Sequence, residues 1–586
     1  PDLPLEAVDA LRLGTAGVAF PPKRLAAALE DAPRWARVDA AGAVVAFPPE
    51  GSNNWAVAAG RTGTGRPLMA MDPHRAHAVP SLRHMVHLTC PEFDVLGAGE
   101  PAVPGVSMGH NGAGAFSLTV FSADQEDLVV LELDPEDPMR FRFGDGWAPI
   151  ERVEERAEVA GHPAQTHVLE FCRHGPILWR DPAGGRALAL RTVWSRPGTA
   201  AYMASLSVMR AGDHAAWRAA LRGWGAPSIN HLWADVSGTI AWQAVGLTPI
   251  REGFSGLVPV PGDGSAEWSG FLDPDEMPRI ENPEGGVLAT ANAYNVPADW
   301  AARHAPLGHE WYEPSRHDRI HAALAEGAQG PEAARALQND VLCLPALRLR
   351  RLIEALAPAS PAARAAADHL LAWDARMDAE SAGAALFELW TTAHLKPALA
   401  ARAAPEAARP LLDAVDPAGM LAALEAPAAG GLLQDAAARD ALLEETLARA
   451  WADALVRLGP EPAGWRWGAL HRLTFAHAVA RAHPEAAAEL SRPPAPWPGS
   501  GSTVMLAASR GAEFAVTHGP SVRMIVDVGN WDAALWTNLP GQSGDPASPH
   551  YADFLADWGE DGYRPAPYTR EAVDAATVET LRLVPA

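Results

Sequence analysis

Cysteine is almost absent from this chain of 586 residues, which has only Cys90, Cys172 and Cys343. Three scattered cysteines build neither a disulfide framework nor a zinc knuckle. They leave the redox compartment open. Tyrosine is scarce, with 6 residues against 14 Phe and 21 Trp, and there is only a handful of lysines. Positive charge is short overall: 47 basic residues face 71 acidic ones, a formal net charge of −24. That deficit excludes a sequence-independent nucleic-acid binder, which needs a basic footprint. It also argues against an anionic membrane surface as partner. No run of 18 apolar residues occurs, so no membrane-spanning helix is expected. The opening Pro1-Asp2-Leu3 carries neither Met nor a signal-peptide pattern. The expectation is a fragment or a processed piece, whose lost upstream segment could carry an export signal and part of the active site, and a periplasmic or secreted location with a cytoplasmic one as the alternative.

What is present suits a large folded chain. Apolar residues make up 48% and charged residues 20%, enough for a sizeable core. The 51 glycines and 53 prolines favour a loop-rich, many-stranded architecture. Residues 1–50 look mixed, helix-like at Leu25–Leu29 and strand-like at 43–47. From 52 to about 200 short apolar runs bounded by turn residues predict strands. A helix is expected over Asp213–Leu221, and a hairpin over His231–Gln243. Between about 315 and 490 apolar residues recur every three or four positions, which predicts amphipathic helices. Strands are expected again at Thr503–Leu506, Glu513–Val516 and Arg523–Val528, and a closing helix over Ser548–Trp558.

Several motifs fail on their chemistry. Gly60 to Pro67 resembles a phosphate loop, but Arg66 and Pro67 stand where Lys and Ser/Thr are required. His309-Glu310 begins like a zinc-protease helix, yet Glu313 replaces the second ligand. No Gly-x-Ser-x-Gly elbow follows a strand.

The informative stretch is Gly51-Ser52-Asn53-Asn54-Trp55, followed by Asp72-Pro73-His74. A serine hydroxyl is a weak nucleophile and needs an adjacent base. If the serine becomes the first residue of a chain, its own α-amine, with a pKa of about 8, can be that base. This requires a breakable peptide bond before the serine. A glycine there leaves the hydroxyl access and permits a strained turn.

The segment closely resembles the penicillin acylase family of serine-type N-terminal-nucleophile hydrolases. There Gly-Ser-Asn-Asn-Trp marks the junction at which the precursor cleaves itself. The resemblance runs from about 50 to 586. It includes Asp72-Pro73-His74, Gly109-His110-Asn111, Arg173-His174-Gly175-Pro176, Asn230 with Trp233-Ala234-Asp235, Thr290-Ala291-Asn292, Arg316-His317-Asp318-Arg319-Ile320 and Pro540-Gly541-Gln542-Ser543-Gly544.

The resemblance implies roles. Ser52 would be the nucleophile and, once freed, its amine the general base. His74 would tune the amine or hydroxyl. Asn292 would donate its side-chain amide to the tetrahedral oxyanion, with the Val120 backbone N–H as second donor. Asn230 is a rival for the Asn292 role. Arg319 would orient the catalytic polar groups. Asp124, Glu126 (through its carbonyl) and Asp127 would hold a structural Ca²⁺, as hard oxygen ligands suit that ion. No cofactor is expected for catalysis.

The implied fold is α+β, a four-layer αββα sandwich with a large helical insertion. The expected division is 1–51 as the end of an α segment plus linker, 52–314 as the first part of the nucleophile domain, 315–490 as the insertion, and 491–586 as closing strands and helix. The implied activity is hydrolysis of a linear amide of an N-acyl compound, of penicillin or cephalosporin type. Acyl-homoserine lactone acylase is the alternative. A catalytically silent binding protein on the same fold comes third. The implied partners are the small-molecule substrate and an α subunit from the same precursor. The family precursor has a longer α segment than these 51 residues, and that segment supplies much of the acyl pocket.

Overall fold

The computed structural model describes residues 51–585 apart from 182, 404–414, 429–431 and 560–561. The helix and strand expected before residue 50 lie outside the described residues.

Strand β1 (Ser52–Val57) is buried along its whole length. A strand covered on both faces reads as a continuous apolar run rather than an alternating one, as Trp55-Ala56-Val57 does. It pairs antiparallel with β2 (Leu68–Ala76), placing Ser52 opposite Pro73 and Trp55 opposite Ala70. Val287–Thr290 covers its other edge, with Asn54 opposite Thr290. Beyond β2 run Val522–Asp527 and Ala515–Pro520, completing the centre of an 11-stranded sheet.

A second sheet of seven strands includes Gly114–Val120 beside Ile229–Asp235. The two sheets pack face to face. Ala56, Met69, Met71, Met524 and Val526 from the first meet Leu96, Ala98, Ala115 and Leu232 from the second. The opposite face of the first sheet, with Trp55, Leu68, Ala70 and Ile525, packs on Ile320 and Leu324 of helix Ser315–Ala325 and on Leu337 of helix Pro331–Gln338. Helices Ser205–Val208 and His214–Leu221 belong to the second sheet's outer side, where Trp217 stacks on Trp233 at 6.0 Å. Asp213 caps the latter helix by accepting from the Ala216 N–H. The order helix, sheet, sheet, helix is the αββα sandwich of the α+β class.

The helical stretch has its own core, which includes Leu349, Leu370, Trp390 and Leu447. It contains Leu344–Glu354, Pro361–Ala372, a run from Ala382 to Ala403 with a π-helical stretch at Leu389–Leu395, and Ala436–Leu458. The helical stretch is interrupted before 490, and only short helices, Val479–Ala482 and Ala487–Leu490, follow the break. Arg472–His477 is a strand paired with Arg492–Pro496. Leu473 and Phe475 point inward and Thr474 outward, a period of two that the Ala-rich surroundings conceal. Thr503–Leu506 is a turn, held by Thr503 Oγ1 donating to the Met505 carbonyl at 2.7 Å. The closing helix is shorter than expected, Phe554–Gly559, and Arg570–Ala576 follows it. A third sheet, of six strands, carries a separate small core around Val129, Leu131 and Phe141. No helix among the described residues is long and apolar enough to cross a membrane.

Candidate active site

The start of β1 lies where the two sheets and the outer helix layer meet. Ser52 is buried. Its hydroxyl donates to the carbonyl of Gly51, and that carbonyl also accepts the His74 backbone N–H at 2.8 Å. The peptide bond ahead of the serine therefore has a nucleophile beside it and a donor on its oxygen. The Ser52 backbone N–H donates to Asn292 Oδ1 at 2.6 Å. Asn292 adopts a left-handed backbone, φ 66°, a conformation asparagine tolerates better than most residues. Its Nδ2 donates to the Val120 carbonyl at 2.9 Å. An amide nitrogen carries two hydrogens, so that bond leaves one.

Gly51 is needed for space. A Cβ there would stand 3.2 Å from Asn292 Oδ1 and 3.3 Å from both Arg316 Nη2 and His74 Nδ1.

His74 Nε2 lies 3.2 Å from Asp72 Oδ2 and 3.3 Å from Asn53 Nδ2. Burial drives the His74 pKa well below its ordinary value, and the nearby Arg316 and Arg523 cations push the same way. Burial also raises Asp72 to about 8, against the pull of Arg523. Burial thus works against the charged form of each group. Asn53 Nδ2 also donates to the Val504 carbonyl at 2.8 Å, tying this corner to the C-terminal part of the chain.

The arginine that reaches this centre is Arg316. Its Nη1 donates to the Ser52 carbonyl at 3.1 Å and to Asn53 Oδ1 at 2.6 Å, and its Nη2 donates to Asn292 Oδ1 at 3.1 Å. Arg319, the residue singled out from the sequence, touches none of these. It pairs with Asp340. The helix buries Arg316, Ile320 and Leu324, positions four apart on one face, and residue 319 is rotated off that face. That spacing, continued back from Ile320, was the available signal for Arg316. Asn53 and Asp72 were also missed; both lie within the motifs already quoted.

Asn230 is fully engaged elsewhere. Its Nδ2 donates to Thr119 Oγ1 and to the Val120 carbonyl, and its Oδ1 accepts from Trp242 Nε1 and Asn295 Nδ2. No hydrogen remains on it for an oxyanion. Val120 lies beside Asn292 through its carbonyl, at the end of its strand.

The acidic loop does not fit a calcium ion. Asp127 is held at both carboxylate oxygens by Arg251 Nε, 3.1 Å from each, and accepts from Trp268 Nε1. Arg251 Nη2 donates to the carbonyls of Asp124 and Glu126 at 3.2 and 3.3 Å. The Glu126 side chain turns away to Thr192. The oxygens expected to bind a cation thus already face one. Arg251 is 124 residues from Asp127, and no local pattern flagged it.

The family model for penicillin amidase matches residues 7–575. The chain is 35% identical to a penicillin acylase 2 proenzyme from Pseudomonas sp. (strain SE83), over 92% of this chain and 69% of that protein. It is 30% identical to an acyl-homoserine lactone acylase from Pseudomonas aeruginosa, over 89% and 67%. The solved structure of a thermostable penicillin G acylase from Alcaligenes faecalis superposes with TM-score 0.73 at 20% identity, covering 91% of this chain and all of that one. With this fold and this match, the chain belongs to the penicillin amidase family and is an acylase of the N-terminal-nucleophile type.

Proposed function

We propose that the protein hydrolyses the linear amide of an N-acyl compound through an acyl-enzyme on Ser52, after cutting its own Gly51–Ser52 bond. The observation that carries this reading is the Ser52 hydroxyl lying on the Gly51 carbonyl while Asn292 holds the Ser52 nitrogen.

Maturation comes first. Ser52 Oγ attacks the Gly51 carbonyl carbon, with the His74 N–H bonded to its oxygen. The acyl group moves from nitrogen to oxygen, and water then hydrolyses the ester. The upstream piece remains as the α subunit of a heterodimer. The freed amine keeps Asn292 Oδ1 as its hydrogen-bond acceptor. Burial and the adjacent Arg316 cation both favour its neutral form, which is the form that can take the hydroxyl proton.

In turnover, Ser52 Oγ attacks the substrate carbonyl, and its proton passes to the amine and then to the leaving nitrogen. The second Asn292 Nδ2 hydrogen and the Val120 N–H stabilise the oxyanion, each such donor contributing about 3 kcal/mol. Water releases the acid by the same route. Arg316 fixes the Asn292 and Asn53 amides, and His74 with Asp72 fixes the turn at the Gly51 carbonyl.

A β-lactam side-chain amide is the leading substrate, from the relative at 35% identity. An N-acyl-homoserine lactone is the second reading, from the relative at 30%. Intact mass and N-terminal sequencing of the expressed precursor, beside Ser52→Ala, test the mechanism. A subunit starting Ser52-Asn53-Asn54-Trp55 in wild type and an uncut Ser52→Ala chain support it. An uncut wild type refutes it and favours a silent binding protein. Turnover of phenylacetyl amides against long-chain acyl lactones then separates the two substrates.

A further inference from the structure

Beside the loop that follows the Val120 strand, one guanidinium collects three carbonyl or carboxylate partners. The Asp127 side chain is completely shielded from solvent and that of Arg251 is 6% exposed. Arg251 stands in strand Pro249–Arg251, paired with Trp268 of Trp268–Phe271. Its cation lies 6.0 Å from the centre of the Trp268 ring, whose Nε1 donates to Asp127. The chain closes over the pair at Gly256, φ +78°, where a Cβ would stand 2.6 Å from both Arg251 Nε and Asp127 Oδ1. A glycine is required at that point because the ion pair fills the space.

We propose that Arg251 is the permanent cation of this loop: its guanidinium occupies the position a structural calcium ion would take, and the folded chain binds no such ion. Calcium needs six to eight oxygens at about 2.3–2.6 Å. Here the two Asp127 oxygens and the Asp124 and Glu126 carbonyls point at a group that is itself positive. A divalent ion among them would face like charge at contact distance and displace four hydrogen bonds. Among the described residues, no group of three or more His, Cys, Asp or Glu stands where it could hold a metal. A covalently attached cation cannot be diluted or chelated away, so this loop keeps its shape at any calcium concentration. The same loop is fastened to the second sheet by the Phe121 N–H on the Ser228 carbonyl and the Ala123 N–H on Ser228 Oγ, both at 3.2 Å. Arg251 is therefore a positioning residue for the end of the Val120 strand.

The test uses the full chain and calcium chloride itself as the probe. Elemental analysis of purified protein is expected to find no stoichiometric calcium, and Tm is expected to be the same in EDTA and in excess calcium. Arg251→Met is expected to lower Tm by about 5 °C or more, because it leaves a buried carboxylate unpaired. Adding Asp127→Asn to that variant is expected to recover part of the loss. A stoichiometric calcium, an EDTA-induced fall in Tm that calcium reverses, or an unchanged Tm in Arg251→Met would overturn the proposal. If Arg251→Met does not fold, the wild-type metal content and chelator response decide alone.

Discussion

Asn292 holds the backbone nitrogen of Ser52 through its side-chain oxygen, at 2.6 Å, before any peptide bond has been cut. The acceptor that the free amine would use is in place in the uncleaved chain. The side chain proposed to bind the oxyanion through its nitrogen thus also positions the base through its oxygen.

Asn292→Ala removes both contacts. Losing one oxyanion donor costs about 100- to 1,000-fold in kcat, and loss of the amine's anchor adds to this. The expected result is a kcat drop of at least that size with KM little changed, measured on protein that has been processed. A loss confined to KM would be inconsistent with the assigned role.

Arg316 and Arg319 separate cleanly. Lysine at 316 keeps the charge but cannot span three acceptors with a planar fork. Arg316→Lys is expected to slow both self-cleavage and turnover at least about tenfold. Arg319→Lys alters only a partly exposed pair with Asp340, worth about 1 kcal/mol or less, and turnover should stay at the wild-type rate. Steady-state kinetics on both variants checks this.

Gly51→Ala probes maturation alone. The added Cβ crowds Asn292, Arg316 and His74 at 3.2–3.3 Å, tighter than ordinary van der Waals contact. The expected outcome is slower appearance of the Ser52 N-terminus on a gel time course. The processed fraction should turn over at the wild-type rate, because residue 51 is no longer bonded to Ser52.

Acid should unfold the chain through its buried histidines. Burial holds His77, His110 and His231 down to about 3 and His471 to about 4. In the unfolded chain each titrates near about 6.5. Between these values the unfolded chain binds protons that the folded chain refuses. Stability is therefore complete above about pH 6.5 and is lost as pH falls toward 4. Each histidine contributes up to about 1.4 kcal/mol per pH unit in that window. Tm measured at pH 7 and at about pH 5 should fall steeply, and a flat profile would contradict the burial.

Much of this site was legible because its residues sit in short contiguous motifs. Gly51-Ser52, Asp72-Pro73-His74 and Thr290-Ala291-Asn292 are each local, and the structure brings Ser52, His74 and Asn292 to one point. Arg316 was not legible because two arginines share one motif and only helix rotation tells them apart. Arg251 was not legible because nothing near Asp127 in the chain announces a partner so far along it. Among the elements, the strand at Arg472–His477 was hidden by neighbouring alanines, which favour helix, and the tail helix was overextended by turn residues at 548–553.

The bond from Asn53 to the Val504 carbonyl spans 451 positions. A ribosome must translate most of the chain after the junction before that partner exists, and the Arg316 contact also waits for hundreds of residues. The bond at the junction therefore cannot acquire these surroundings until at least residue 504 has been made. Under the proposed maturation, cleavage would act as a clock started by the fold around the junction, so a half-synthesised or misfolded molecule would be recognisable as one that is still in one piece.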